Sequence, residues 1–376
     1  MADGWSDRAA AVSAPPVYTA LPIPRERLGL PLAELTTLRL GGPARRFVEA
    51  AAEDHVIETV AAADAAGDPV LVIAGGSNVV VADGGFDGTA VRVLTRGASV
   101  RARGARARLT VTAGEPWDDV VRRAVASGLA GIECLSGIPG STGATPIQNA
   151  GAYGQQVSDV LVAVRAYDRL AGQVLELPGR NCGFAYRSSV FRGSDRFVVL
   201  NVKFELERSR LARPVRYPEL ARALGVPMGA RPPLAAVRDA VLALRRRKGM
   251  VIDPSDPDSV SAGSFFVNPV LSTPCFAALE RRVVDRLGER ARPPAWQEPG
   301  GPLKTSATWL IEQAGFHRGF GGGRVGISSK HTMALINRGG ASTTELIALA
   351  RQIRDQVRDS FGVTLQPEPT LIGVEL

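Results

Sequence analysis

A chain of 376 residues with 45% hydrophobic content can bury two or three cores at ~150 residues per domain, which makes a multidomain globular protein the expectation. No run of ~18 apolar residues occurs and no apolar leader follows Asp3, Asp7 and Arg8, so neither membrane insertion nor export is expected and the protein is placed in the cytoplasm. A net charge of +8 favours anionic partners, nucleic acid or phosphorylated small molecules alike, while Cys134, Cys182 and Cys275, without any CxxC, exclude a disulfide framework or zinc site and read as packing residues.

Residues 1–20, rich in Ala, Ser and Pro, read as a disordered tail, with folded structure from Leu21. Val56, Ile57, Val60 and Ala63 mark one face of a helix that begins at Glu53 and stops at Gly67. The strand Val70 to Ile73 runs straight into Gly75-Gly76-Ser77-Asn78, a glycine turn whose amides can face a phosphate. Strands are expected at 91–94, 109–112 and 161–167. Between them Pro116 and Gly128 bracket a helix with Trp117, Val120, Val121, Ala124 and Val125 inward. Val198, Leu200, Val202, Phe204 and Leu206 alternate strictly, as in a strand buried on one face.

Prolines and turn residues from Leu211 to Pro233 mark a domain boundary. Beyond it, Leu234, Val237, Val241 and Leu244 predict a helix ending in Arg245-Arg246-Arg247-Lys248. Its arginines read as a solvated helix end favoured by the dipole rather than as a nucleic-acid patch, because few aromatics interleave with them. Ser342 and Glu345 have capping-box spacing ahead of Leu346, Leu349, Ile353 and Val357. The tail from Val363 alternates apolar and polar residues around two prolines.

The segment GIPGSTGATPIQNAGAYG, residues 137–154, is the most unusual. Its glycines exclude a regular helix or central strand, and a loop this long in a compact domain is usually functional. Small residues let amides approach a pyrophosphate, while Ser141, Thr142, Gln148 and Asn149 offer side-chain hydrogen bonds, so a dinucleotide site is expected. Gly321, Gly323 and Gly326 fit GxGxxG formally. They follow no strand, and the acidic residue ~20 positions on, Glu345, sits in a helix cap, so this stretch reads as a turn-rich loop.

TTLRLGG (36–42), AGGSN (74–78), the segment 137–154, GFAYRSS (183–189), AGSFFVNP (262–269) and LQPEP (365–369) occur in an order that resembles the UDP-N-acetylenolpyruvoylglucosamine reductase family. GGSN alone is shared with other flavin oxidoreductases of the vanillyl-alcohol-oxidase type. The resemblance implies an α+β fold: a two-subdomain FAD-binding domain, about 21–74 and 75–210, then a UDP-sugar-binding domain over 211–376 whose C-terminal segment returns to the active site. It implies noncovalent FAD at Gly75, Gly76, Ser77, Asn78, Gly140, Ser141, Gly143, Gln148, Asn149, Gly151 and Tyr153, since no histidine lies in either glycine segment. The matching catalytic positions are Arg187, Ser264 and Glu368. The matching substrate-binding positions are Tyr217, Lys248, Asn268 and His331. NADPH and UDP-N-acetylglucosamine enolpyruvate are implied to use one pocket in turn, in a monomer that binds no nucleic acid. Ala74, where glycine is frequent, together with Thr145, Pro146 and the extra tail, departs from the family pattern without touching a catalytic position.

The chemistry is consistent with these residue types. Hydride addition to an enol ether builds negative charge on the carbon beside a carboxylate. A guanidinium can meet that carboxylate bidentately, and a carboxyl such as Glu368 helps only if burial raises its pKa and keeps it protonated. A weak acid, Ser264, then suffices to protonate the new centre. No histidine is required: His55 reads as a surface helix residue, and His55, His317 and His331 form no metal or triad pattern. The alternative, a vanillyl-alcohol-type oxidase of an alcohol or sugar, should lack AGSFFxNP and the late glutamate.

Overall fold

Alternation in the strand Phe197–Arg208 places it at the centre of an antiparallel sheet. In the computed structural model, which describes residues 24–376, the sheet runs Gln173–Pro178, Leu161–Asp168, Phe197–Arg208, Arg106–Thr112, Ala98–Arg103, with Leu129–Ala130 also paired to the central strand. Val202 faces Val164 on one side and Val111 on the other. Val199 is buried as well as the even-numbered set, so the alternation is not strict. The tail expected at 1–20 lies outside the described residues.

The chain divides into two compact units: the first holds the described residues through Leu30, Ala44–Gly75 and Asp87–Arg246, the second Pro31–Pro43, Gly76–Phe86 and Arg247–Leu376. In the first unit α1 (Glu53–Ala65) stops at Gly67, whose φ of 66° makes the left-handed turn its position requires. A four-stranded sheet of Arg25–Pro31, Pro43–Ala50, Phe86–Val93 and Val70–Ile73, in that order, accompanies it. α2 (Trp117–Ala126) buries Trp117, Val120, Val121 and Ala124, and Trp117 packs on Phe204 with ring centroids 5.7 Å apart. Pro116 is its N-cap, one residue outside the first turn.

α3 (Pro218–Leu224) and α4 (Leu234–Arg247) follow. The boundary expected at 210/211 differs from the observed one. Leu220, Leu234, Val237, Val241 and Leu244 share a core with Ala130 and Cys134, so the proline-rich stretch packs into the first unit and residues 211–246 stay with it. Hydrophobic packing of α4 decides this, whereas prolines show only where the chain turns.

In the second unit α5 (Thr273–Leu287), α6 (Ala307–Gln313) and α7 (Thr343–Phe361) share a core that includes Phe265, Phe266, Leu310, Ile311, Ile353 and Phe361. The sheet Ser261–Ser264, Ala334–Asn337, Val325–Ile327 is antiparallel. Ser342 and Glu345 close the expected capping box. Asp83 accepts from the Thr343 and Thr344 amides at 2.7 and 2.9 Å, and these bonds together with the Thr344 hydroxyl outweigh burial to hold its carboxyl below the ordinary value. The tail forms the strand Thr370–Ile372, parallel to Val79–Val81. Cys134 and Cys182 pack as expected, but Cys275, in the first turn of α5, is exposed. Among the described residues no helix is long and apolar enough to cross a membrane.

Candidate active site

In the first unit the glycine segment is pinned where it begins. The Gly137 amide donates to Asp118 Oδ1 at 2.6 Å, and Arg238 on α4 grips both oxygens of Asp118 at 2.7 Å. Burial pushes the Asp118 carboxyl up, yet the bonds from Arg238 and Gly137 outweigh it and hold the group below its usual value. Farther along, a Cβ on Gly75 would lie 2.8 Å from Gly140 Cα, so glycine at both places lets the two segments touch backbone to backbone.

Asn149, Tyr153 and Arg187 have φ of 47°, 48° and 51°, three of the four non-glycine residues with positive φ among those described. Such conformations collect at binding sites because surrounding contacts must enforce them. At Asn149 those contacts are visible: Oδ1 accepts from the Ser158 amide at 2.9 Å and Nδ2 donates to Ala185 O at 3.2 Å, so this side chain braces the loop. Segment 137–154 carries no acidic side chain, and Ser141, Gln148 and Asn149 within it are buried. An uncharged, small-residue backbone with left-handed positions fits the diphosphate of a dinucleotide.

Arg187 sits on a tight turn closed by reciprocal Ala185 and Ser188 backbone bonds, and donates to Gly151 O at 3.0 Å. Tyr153 meets Tyr217 edge-on at 5.5 Å, and burial pushes the Tyr153 phenol up to about 12. Arg245 is the residue that sequence reading missed. Read as solvated, it is 9% exposed, because it lies four residues after Val241 and seven after Arg238 on the buried edge of α4. Burial pulls its guanidinium below the ordinary value, opposed by Tyr153 and Asp118 and reinforced by Arg187. A guanidinium stays charged in proteins, so Arg245 adds a buried positive charge to the unit that carries Arg187. The helical period held the signal; the run of four cations obscured it.

In the second unit the remaining motifs meet. The Glu368 amide donates to Phe265 O at 2.8 Å and the Val267 amide to Gln366 O at 3.0 Å, which lays LQPEP alongside AGSFFVNP. Asn78 O accepts from the Thr370 amide at 3.0 Å, bringing GGSN to the same strip. Thr37 donates from its amide to Gly76 O at 3.0 Å and from its hydroxyl to Ser261 O at 2.6 Å, so TTLRLGG braces the glycine turn against the strand that ends at Ser264. A Cβ on Gly76 would strike Leu35 O at 2.0 Å, and its φ of 58° also requires glycine.

Ser264 Oγ lies 3.4 Å from His331 Nε2. Asn268 Oδ1 accepts from the Ala307 amide at 2.9 Å, capping α6. Lys248 is half-buried in the turn after α4. Gly76, Ser77 and Asn78 thus belong to the second unit, whereas the flavin domain expected at 21–210 included them. Gly321, Gly323 and Gly326 open no helix. Arg338 donates to the carbonyls of Gly319, Gly321 and Gly323, so that loop presents oxygens inward and suits a cation. His55 is half-buried rather than surface-exposed, and no cluster of His, Cys, Asp or Glu suited to a metal occurs among the described residues.

Residues 44–178 match the family described as FAD binding domain, and residues 254–372 match the UDP-N-acetylenolpyruvoylglucosamine reductase, C-terminal domain family. Enzymes named UDP-N-acetylenolpyruvoylglucosamine reductase from Thermobifida fusca and Streptomyces avermitilis are 56% and 53% identical to this chain over 348 residues, covering 92% of it and 98% and 94% of their own lengths. The one from Mycobacterium avium is 50% identical over 365 residues, covering 92% of this chain and 95% of its own. The crystal structure of the Thermus caldophilus enzyme of that name superposes with a TM-score of 0.61 at 23% identity, covering 93% of this chain and 98% of the other, and supports the same fold.

Proposed function

The chain belongs to the UDP-N-acetylenolpyruvoylglucosamine reductase family, and on that premise we propose that it uses FAD and NADPH to reduce UDP-N-acetylglucosamine enolpyruvate to UDP-N-acetylmuramate, in the cytoplasm, for peptidoglycan precursor synthesis. The observation that carries this reading is the pairing of LQPEP with AGSFFVNP in the second unit, which puts the Glu368 amide on Phe265 O, one residue from Ser264. The vanillyl-alcohol-type oxidase alternative leaves both motifs, and the C-terminal family match, without a role.

FAD, when bound, transfers hydride from NADPH to the terminal carbon of the enolpyruvyl group. Gly75, Gly76, Ser77 and Asn78, and the segment carrying Gly140, Ser141, Gly143, Gln148, Asn149, Gly151 and Tyr153, would hold it. Arg187 meets the substrate carboxylate and stabilises the charge that grows on it, with Arg245 adding to the positive potential. Glu368 acts on the same carboxylate. Ser264 gives its proton to the adjoining carbon and sets the new stereocentre. Tyr217 covers the substrate, Lys248 binds a diphosphate, and Asn268 and His331 line the sugar site.

The test is Ser264→Ala followed by stopped-flow absorbance. NADPH should bleach the bound chromophore at close to the wild-type rate, while the step driven by the enolpyruvyl sugar slows ~10²–10⁴-fold, the usual contribution of a positioned acid. Equal slowing of both steps means general damage to the pocket. An unaffected second step removes Ser264 from the chemistry.

A further inference from the structure

A serine that surrenders its proton is left as an alkoxide, which is costly unless a second acid replaces the proton as it leaves. Among the described residues of the second unit His331 stands beside it, with Nε2 3.4 Å from Ser264 Oγ. That is longer than a good hydrogen bond, and such contacts commonly tighten only when substrate is bound.

The contact is built by the fold. Ser264 pairs opposite Ala334, and the Phe265 amide donates to Met333 O at 2.7 Å, which fixes the strand against the end of the turn 328–334. Inside the turn Ser328 Oγ accepts from the Lys330 and His331 amides at 3.0 and 3.2 Å, and the Ala334 amide donates to His331 O at 3.0 Å. The side chains around His331 are committed elsewhere. Ser329 donates to Asp258, Lys330 pairs with Asp256 at 2.7 Å, and Thr332 donates to Glu312 at 2.7 Å. Three carboxylates therefore hold the turn from outside, and the imidazole is the side chain it delivers to Ser264.

We propose that His331 is the positioning residue that resupplies the Ser264 proton, an inference that rests on the reduction proposed above. As the substrate carbanion takes the proton, the Ser264 O–H bond breaks and a C–H bond forms from the carbanion's electron pair. The Nε2–H bond of the His331 imidazolium breaks and a new O–H bond forms on Ser264, the electrons of the former N–H bond staying on nitrogen and leaving a neutral imidazole that keeps its Nδ1 proton. Water then returns a proton to His331, and the net uptake is the one solvent proton that accompanies the hydride of NADPH. His331 never touches the reacting carbon.

The experiment uses the FAD-loaded full chain with His331→Gln and His331→Asn, each alone and in a Ser264→Ala background. Expected for the single variants is a fall in kcat for sugar reduction of about 10–10²-fold that exceeds any rise in KM from its place in the sugar site, with NADPH-driven bleaching unchanged, as for loss of one proton-transfer group. In the Ser264→Ala background the second change should cost nothing further, because residues acting as one unit are not additive. A proton inventory in H2O and D2O should be bowed for the wild type and linear for the variants. Unchanged kcat, full further loss on the Ser264→Ala background, or an effect confined to KM in both His331 variants would each overturn the relay. Failure of the wild-type enzyme to reduce the sugar would instead overturn the function on which the relay rests.

Discussion

Asp118→Asn should loosen the glycine segment at its start. The aspartate accepts two bonds from Arg238 and one from the Gly137 amide, all at 2.6–2.7 Å. An exposed pair is worth ~0–1 kcal/mol and breaking a buried one costs ~3–5 kcal/mol. With Arg238 12% and Asp118 38% exposed, the pair stands between those limits. Part of the energy is screened on the aspartate side, but Arg238 would be left nearly buried without its carboxylate, so the cost should be ~2–3 kcal/mol. In urea this lowers the midpoint of the transition that reports the first unit by ~1 M. The sign of the pH dependence follows from the depressed carboxyl. Its stabilisation is complete above the unfolded value of ~3.9 and is lost as pH falls through the lower folded value. Wild type and variant should therefore differ at pH 7 and converge in acid below pH ~4. Arg238→Met should cost a similar amount, and the double variant little more than either. A difference under ~0.5 kcal/mol, the range of ordinary surface changes, or one that persists unchanged in acid, would refute the latch.

Gly75→Ala should force its Cβ onto the Gly140 backbone, costing ~1–3 kcal/mol and most of the bound FAD; Gly84→Ala, whose Cβ meets nothing, is the control, and chromophore content per chain checks both. Lys248→Ala should weaken UDP-sugar binding ~10–100-fold by calorimetry, the loss of one charge-assisted contact, with FAD content near normal. Loss of flavin instead would assign Lys248 to the cofactor. Glu368→Gln should bind the sugar but reduce it ~10²-fold more slowly, because an amide donates a hydrogen bond yet cannot share a proton. Unchanged turnover removes Glu368 from the mechanism.

Much of the architecture is local and therefore legible. The 3.6-residue recurrence in α1, α2, α4 and α7, the capping box at Ser342 and Glu345, and the glycine stop at Gly67 depend on near neighbours alone. The division of the chain is not local. Residues 31–43 and 76–86 join the second unit, and α4 joins the first, through contacts of long sequence separation. Motif recognition pointed to Ser264, Glu368 and Arg187, but could not show that Glu368 reaches the serine strand by backbone pairing or that His331 stands beside Ser264. It read Arg245 by composition, as one of four successive cations, when its place on the face of Val241 and Arg238 decided its burial. Asn149 and Asn268 carry another lesson: polar side chains in a motif also hold the fold, the first bracing its loop and the second capping α6.

The most direct measurement is the visible spectrum of the purified protein through one catalytic cycle. A yellow chromophore with FAD absorbance, released by heat or acid, should bleach on anaerobic addition of NADPH and return with one equivalent of UDP-N-acetylglucosamine enolpyruvate, yielding a product two hydrogens heavier. A protein without chromophore, or one whose colour returns with oxygen and never with the enolpyruvyl sugar, would contradict the account.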